Sequence, residues 1–202
     1  MCPFLGIAQQ PNDCVNAIVI CSNGSFSSNA SGAGVQEVSG CSSEEHNSIW
    51  IRVDVVKSGT LGFDLIPENT NLSVDYDFWV YGPNEDCSSL TTPIRCSTTN
   101  PIAAGQTNNH TGIGDAAMET FEGPGPDGDS YVEWIDVLDG ESYYIVIDRP
   151  IGNAVEESIC ATNFLDSSTK TFISSMAILS PTSYFSCSIT DVSIIIFFWS
   201  SL

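Results

Sequence analysis

The chain has 202 residues, enough for one ordinary domain with a real core and too few for two full ones. Its 25 Asp and Glu against 5 Lys and Arg give a net charge of −20, a field that repels nucleic acid and anionic headgroups and removes both as partners. With 42% hydrophobic and 10% aromatic residues the chain still has enough apolar surface to fold, and 8 cysteines with no Cys-x-x-Cys pair point to disulfides in an oxidising compartment rather than to zinc.

Residues 1–10 carry Phe4, Leu5, Gly6, Ile7 and Ala8 ahead of Gln9-Gln10, which fits the remnant of a secretory signal or a disordered terminus. From residue 11 to residue 153 the pattern is that of an all-β module, with period-two alternation and almost no helical periodicity. Ile49, Ile51, Val53 and Val55 alternate with Trp50, Arg52 and Asp54. Leu61, Phe63 and Leu65 then alternate with Thr60, Gly62 and Asp64 after a Ser58-Gly59 turn, so two strands with one wet face each are expected. Tyr76, Phe78 and Val80 alternate with Trp79 and Tyr81, and Tyr143–Ile147 is apolar throughout, as in strands covered on both faces.

Cys96 to Ser130 is rich in Asn, Thr, Gly and Pro and reads as a long polar loop. Val132, Trp134, Ile135 and Val137 lead into Asp139-Gly140, which predicts a hairpin into the Tyr143 strand. Alternation stops after Asn153, so residues 154–202 are expected to form an atypical tail, frameshifted or poorly ordered. Its apolar end, Ile194–Trp199, is too short to span a bilayer, and no membrane insertion is expected.

Cys87 and Cys96 flank a short loop, so a disulfide between them is expected, contributing on the order of 2 to 3 kcal/mol. Cys14, Cys21 and Cys41 form a second group that parity alone does not assign. Asp75 and Asp77 lie on one strand face, and Asp127-Gly128-Asp129 sits in a Gly/Pro loop with Glu122 upstream. Flexible oxygen ligands of this kind suit calcium, although the spacing is not that of an EF-hand and solvated loop acids are the plainer reading. The same acids could form a glycosidase pair, but sequence does not supply their separation. His46 and His110 have no second ligand at metal spacing, and no Gly-x-Ser-x-Gly elbow supports a serine triad. Trp50, Trp79, Trp134 and Tyr81 could form a sugar-stacking platform; core aromatics are the favoured reading.

Several stretches resemble a module near the N-terminus of large Bacteroidetes surface proteins linked to gliding motility and type IX secretion. They are Asn12-Asp13-Cys14 with Ala17-Ile18 and Ile20-Cys21, Asn29–Gly32, Glu45–Trp50, Gly59–Phe63 and Asp75–Phe78. Ile94–Pro101, Glu122–Gly125, Asp127–Ser130 and Ile147–Asn153 follow in the same order. The resemblance covers about Asn12 to Asn153 and implies a jelly-roll-like antiparallel β-sandwich with no settled enzymatic activity. It also implies a secreted or cell-surface location and a non-catalytic role in adhesion, display or ligand binding, with an extracellular glycan or protein surface as partner. A secreted carbohydrate-binding or carbohydrate-active protein is the alternative.

Overall fold

The computed structural model describes residues 11–20, 25–29, 32–67, 69–114, 116–150, 158–162 and 192–199. The expectation for residues 1–10 lies outside them. Alternating β-branched and aromatic residues favour a pleated, half-buried backbone, and the described chain is almost entirely strand and loop. In chain order the strands are β1 (Ile18–Ile20), β2 (Ser25–Asn29), β3 (Ser48–Asp54), β4 (Gly59–Pro67), β5 (Asp77–Tyr81), β6 (Arg95–Ser97) and β7 (Thr111–Ile113). There follow β8 (Phe121–Glu122), β9 (Tyr131–Val132), β10 (Ile135–Val137), β11 (Ser142–Asp148), β12 (Ser158–Thr162) and β13 (Val192–Trp199).

They form two mixed sheets. The first has the order β1-β3-β11-β5-β6-β8; the second runs β2-β12-β13-β4-β7-β9, with β10 also on β4. The pairs around β11 are antiparallel, whereas β1/β3, β6/β8, β7/β9 and β12/β13 are parallel. As its apolar run predicts, β11 is central, held between β3 and β5. Of the tail, the backbone of β12 and β13 lies in the second sheet, β13 pairing with β4 from Pro67 to Thr60.

One face of each sheet meets the other in the main core. Ile49, Ile51, Val53, Phe78, Val80, Tyr143, Ile145 and Ile147 come from the first sheet, and Leu61, Phe63, Leu65, Ile113, Val132, Ile135 and Val137 from the second. Phe63 and Phe78 bridge the layers edge to face, with ring centroids 4.9 Å apart.

Two sequence expectations are corrected here. Asp139-Gly140 does not close a hairpin: β10 pairs with β4 in the second sheet, while β11 pairs with β3 and β5 in the first. The connection passes from one layer to the other, tied to Val55 by Gly140 N–H to Val55 O and Val55 N–H to Glu141 O. Nor is the second face of β3 wet along its whole length: Trp50 is fully buried there, opposite the core side, while Arg52 and Asp54 remain partly exposed as expected. What covers that second face positions the candidate site.

Candidate functional site

The outward face of the first sheet carries a second apolar cluster: Cys14, Trp50, Trp79, Tyr81, Cys96, Tyr144 and Val146. Strand register sets Trp50 opposite Val146, Val146 opposite Trp79, and Trp79 opposite Cys96. Trp50 stacks on Tyr81 at 6.1 Å and meets Tyr144 edge-on at 6.3 Å. Trp50, Trp79 and Tyr81 are thus core aromatics, as favoured from the sequence; Trp134 is half-buried elsewhere, lying over Gly62 and Gly114.

The cover over this face is an irregular strap, residues 32–47. Its bonds go to the indoles and phenol beneath it: Trp50 Nε1–H donates to Glu45 Oε1 (2.8 Å), Trp79 Nε1–H to Gly40 O (3.4 Å), and Ser39 N–H to Tyr81 Oη (3.1 Å). The buried Glu45 carboxylate also accepts from the backbone of Glu37 and Val38, so its side chain folds the strap around itself.

Two disulfides anchor this layer, Cys14–Cys87 and Cys41–Cys96, with Cα separations of 5.6 and 6.3 Å. The expected Cys87–Cys96 bridge is therefore corrected. Cys96 lies in β6 beside Trp79, facing the strap, whereas Cys87 starts a helical turn, Cys87–Ser89, in the β5–β6 connection. Nearness in sequence does not make them neighbours. The observed bridges close separations of 73 and 55 residues. By chain entropy each would contribute about 4 kcal/mol if taken singly. Cys2, Cys21, Cys160 and Cys187 lie outside the described side chains.

The calcium set divides. Asp75 and Asp77 are buried, which corrects their reading as solvated loop acids, whereas Asp127 and Asp129 are exposed on their loop. Glu122 is half-buried beside that loop; burial and the Asp129 and Glu119 carboxylates push its pKa up. Thr99 and Asn100 link the two groups: Thr99 lies against Gly128, and Asn100 Nδ2 donates to Asp75 Oδ2 at 3.1 Å. Among the described residues no three His, Cys, Asp or Glu side chains form a group that could hold a metal ion.

What the structure sets beside Asp77 instead is Asp148, its register partner across β5 and β11. Asp148 is wholly buried and accepts from His46 N–H (2.7 Å), Asn47 N–H (2.7 Å) and His46 Nδ1 (3.1 Å). Ser43, also of the strap, hydrogen-bonds Asp77. Burial pushes all three carboxyls up, Asp75 to about 6 and Asp77 to about 8, the latter reinforced by repulsion from Asp75 and Asp148. Above them Gly40, Ser42, Ser43, Glu44 and His46 line a shallow depression. Sequence reasoning missed His46, Ser43 and Asp148. The available signal was an Asp closing an otherwise apolar central strand, a charge that needs a partner.

No family model, curated protein or solved structure matches this chain.

Proposed function

We propose that the chain is a non-catalytic extracellular or cell-surface module for adhesion, display or ligand binding within a larger surface protein. It is of the gliding-motility and type IX secretion kind that its sequence resembles, with jelly-roll-like connectivity. The observation that carries this reading is the pair of disulfides joining the N-terminal segment to the β5–β6 region. Bridges across long chain separations are at home in an oxidising, extracytoplasmic setting. In addition, no helix of the described residues is long and apolar enough to cross a membrane.

A glycosidase needs two carboxyl groups flanking an open cleft. Asp75 and Asp77 are buried and the strap bonds to Trp50 and Trp79, so these acids and indoles do not present the open surface that reading requires, and the exposed Asp127 and Asp129 lie on a separate loop. A protein or glycan surface bound through the exposed loops fits better, since loops on a rigid sandwich are the usual carriers of recognition. The test is an array of glycans and extracellular proteins probed with the oxidised chain, run beside a reducing-sugar assay. Retention without release of reducing ends is the expected result; release that co-purifies with the protein would overturn the reading.

A further inference from the structure

We propose that Asp77 and Asp148 hold a proton between them that latches residues 42–47 onto the first sheet, making that part of the strap a proton-operated cover over Trp50. The latch is geometric in origin. Asp77 and Asp148 are register partners in an antiparallel pair, and their side chains share the outward face with Trp79 and Val146. Side chains so placed have Cβ atoms about 4.5 to 5.5 Å apart, and like charges there repel.

The two acids are provisioned differently. Asp148 accepts from the backbone N–H of His46 and of Asn47 and lies 3.1 Å from His46 Nδ1, contacts that favour its charged form against burial. Asp77 has Ser43, while its Oδ1 is buried without a hydrogen-bond partner. Asp75, on the same strand, has the same deficit at Oδ1. A buried carboxylate oxygen without a donor is costly, and adding a proton turns it into a donor beside an acceptor. The proton therefore belongs on Asp77, facing the Asp148 carboxylate.

The charged groups around Asp77 are few. On its own segment there is Asp75; from β11 comes Asp148; the strap brings His46 through Asp148, with Glu44 and Glu45 beside it. The β6 side offers Thr98, one residue beyond the Phe78–Ser97 pair, and Asn100 on Asp75, with Glu122 beyond. His46 is the one basic side chain among the groups that shift these three carboxyls, and Arg149 follows Asp148 in the chain. Loss of the proton sets two anions side by side beneath the strap, with no added counter-charge. The strap is bridged to β6 by Cys41–Cys96, so release frees residues 42–47 while that bridge stays closed. Because Glu45 bonds the Trp50 indole, the same release uncovers an aromatic face.

The test uses the full, oxidised chain. Hydrogen-exchange protection of the His46 and Asn47 amides, corrected for the intrinsic pH dependence of exchange, is measured from about pH 6 to about pH 10 together with tryptophan emission. Protection is expected to fall about tenfold per pH unit from about pH 6, the slope of a one-proton step, and to level off above about 8, where Asp77 has lost its proton in the closed state as well. Asp77→Asn, which cannot ionise, should keep its protection through that range. In the wild type, infrared spectra should show a protonated carboxyl C=O band disappearing with a midpoint near 8, a readout that does not depend on the variant folding. Identical profiles for wild type and Asp77→Asn, or no such band, would overturn the proposal. So would a profile moved by calcium or magnesium at matched ionic strength, because a bound metal rather than a proton would then join the acids.

Discussion

Asp148 closes the central strand of the first sheet and holds the strap by accepting from both the backbone and the imidazole of His46, 102 residues earlier in the chain. That contact joins the least regular part of the module to its most buried strand. Asp148→Asn replaces one acceptor oxygen by an amide donor facing donors. The expected loss is about 2 to 3 kcal/mol in urea unfolding, with weaker amide protection of His46 and Asn47. A loss below about 0.5 kcal/mol would mean that the strap is held by its other contacts.

The buried acids make stability depend on pH with a definite sign. Asp77 is raised to about 8 and Asp75 to about 6 from ordinary values near 3.8, so the folded state binds their protons more tightly than the unfolded chain. Their contribution is complete below the unfolded pKa and is lost as pH climbs, through about 6 for Asp75 and about 8 for Asp77. Melting temperature should therefore fall between about pH 4 and about pH 8, and Asp77→Asn should lose the part of that fall above about pH 6. Equal slopes for the two proteins would contradict the assignment.

Gly112 sits in β7 against β4, where a Cβ would lie 2.1 Å from the Phe63 carbonyl oxygen. Backbone cannot turn aside as a side chain can. Gly112→Ala is expected to cost about 3 kcal/mol or more, by overpacking the sheet and forcing β7 off β4. A fully stable variant, measured by denaturant midpoint, would show that β7 is not held in this register.

The divided acid set also has a measurable consequence. Asp127, Asp129 and Glu122 lie at one loop while Asp75 and Asp77 are buried, so diffuse screening is expected in place of coordination. Melting curves in calcium and in magnesium at matched ionic strength should superimpose. A rise specific to calcium would restore the ion expected from the sequence.

The strands were legible wherever burial is written in local alternation. Ile49 to Val55, Leu61 to Leu65, Phe78 to Tyr81 and Tyr143 to Ile147 all lie in or beside strands of the predicted kind, and the run without polar residues is the central one. Partner choice was not legible. Asp139-Gly140 has hairpin chemistry, but the pairing of Ile135 with Leu61 and of Tyr143 with Val53 depends on residues some 75 to 90 positions away. The same limit hid the site. Asp75 and Asp77 were visible as acids, whereas their burial follows from a strap whose anchors, Cys41–Cys96 and His46–Asp148, are contacts between distant segments. Cys87 and Cys96 misled for the same reason: spacing measures loop length and does not show which way a thiol points.

The strap covers Trp50 and Trp79 because it is bridged to the first sheet in the oxidised protein. The decisive measurement is non-reducing peptide mapping by mass spectrometry of the full chain, recovered from an oxidising compartment with thiols blocked at lysis. Linked peptides joining Cys14 to Cys87 and Cys41 to Cys96 are the predicted result. A peptide joining Cys87 to Cys96, or free thiols at these four positions, would contradict it.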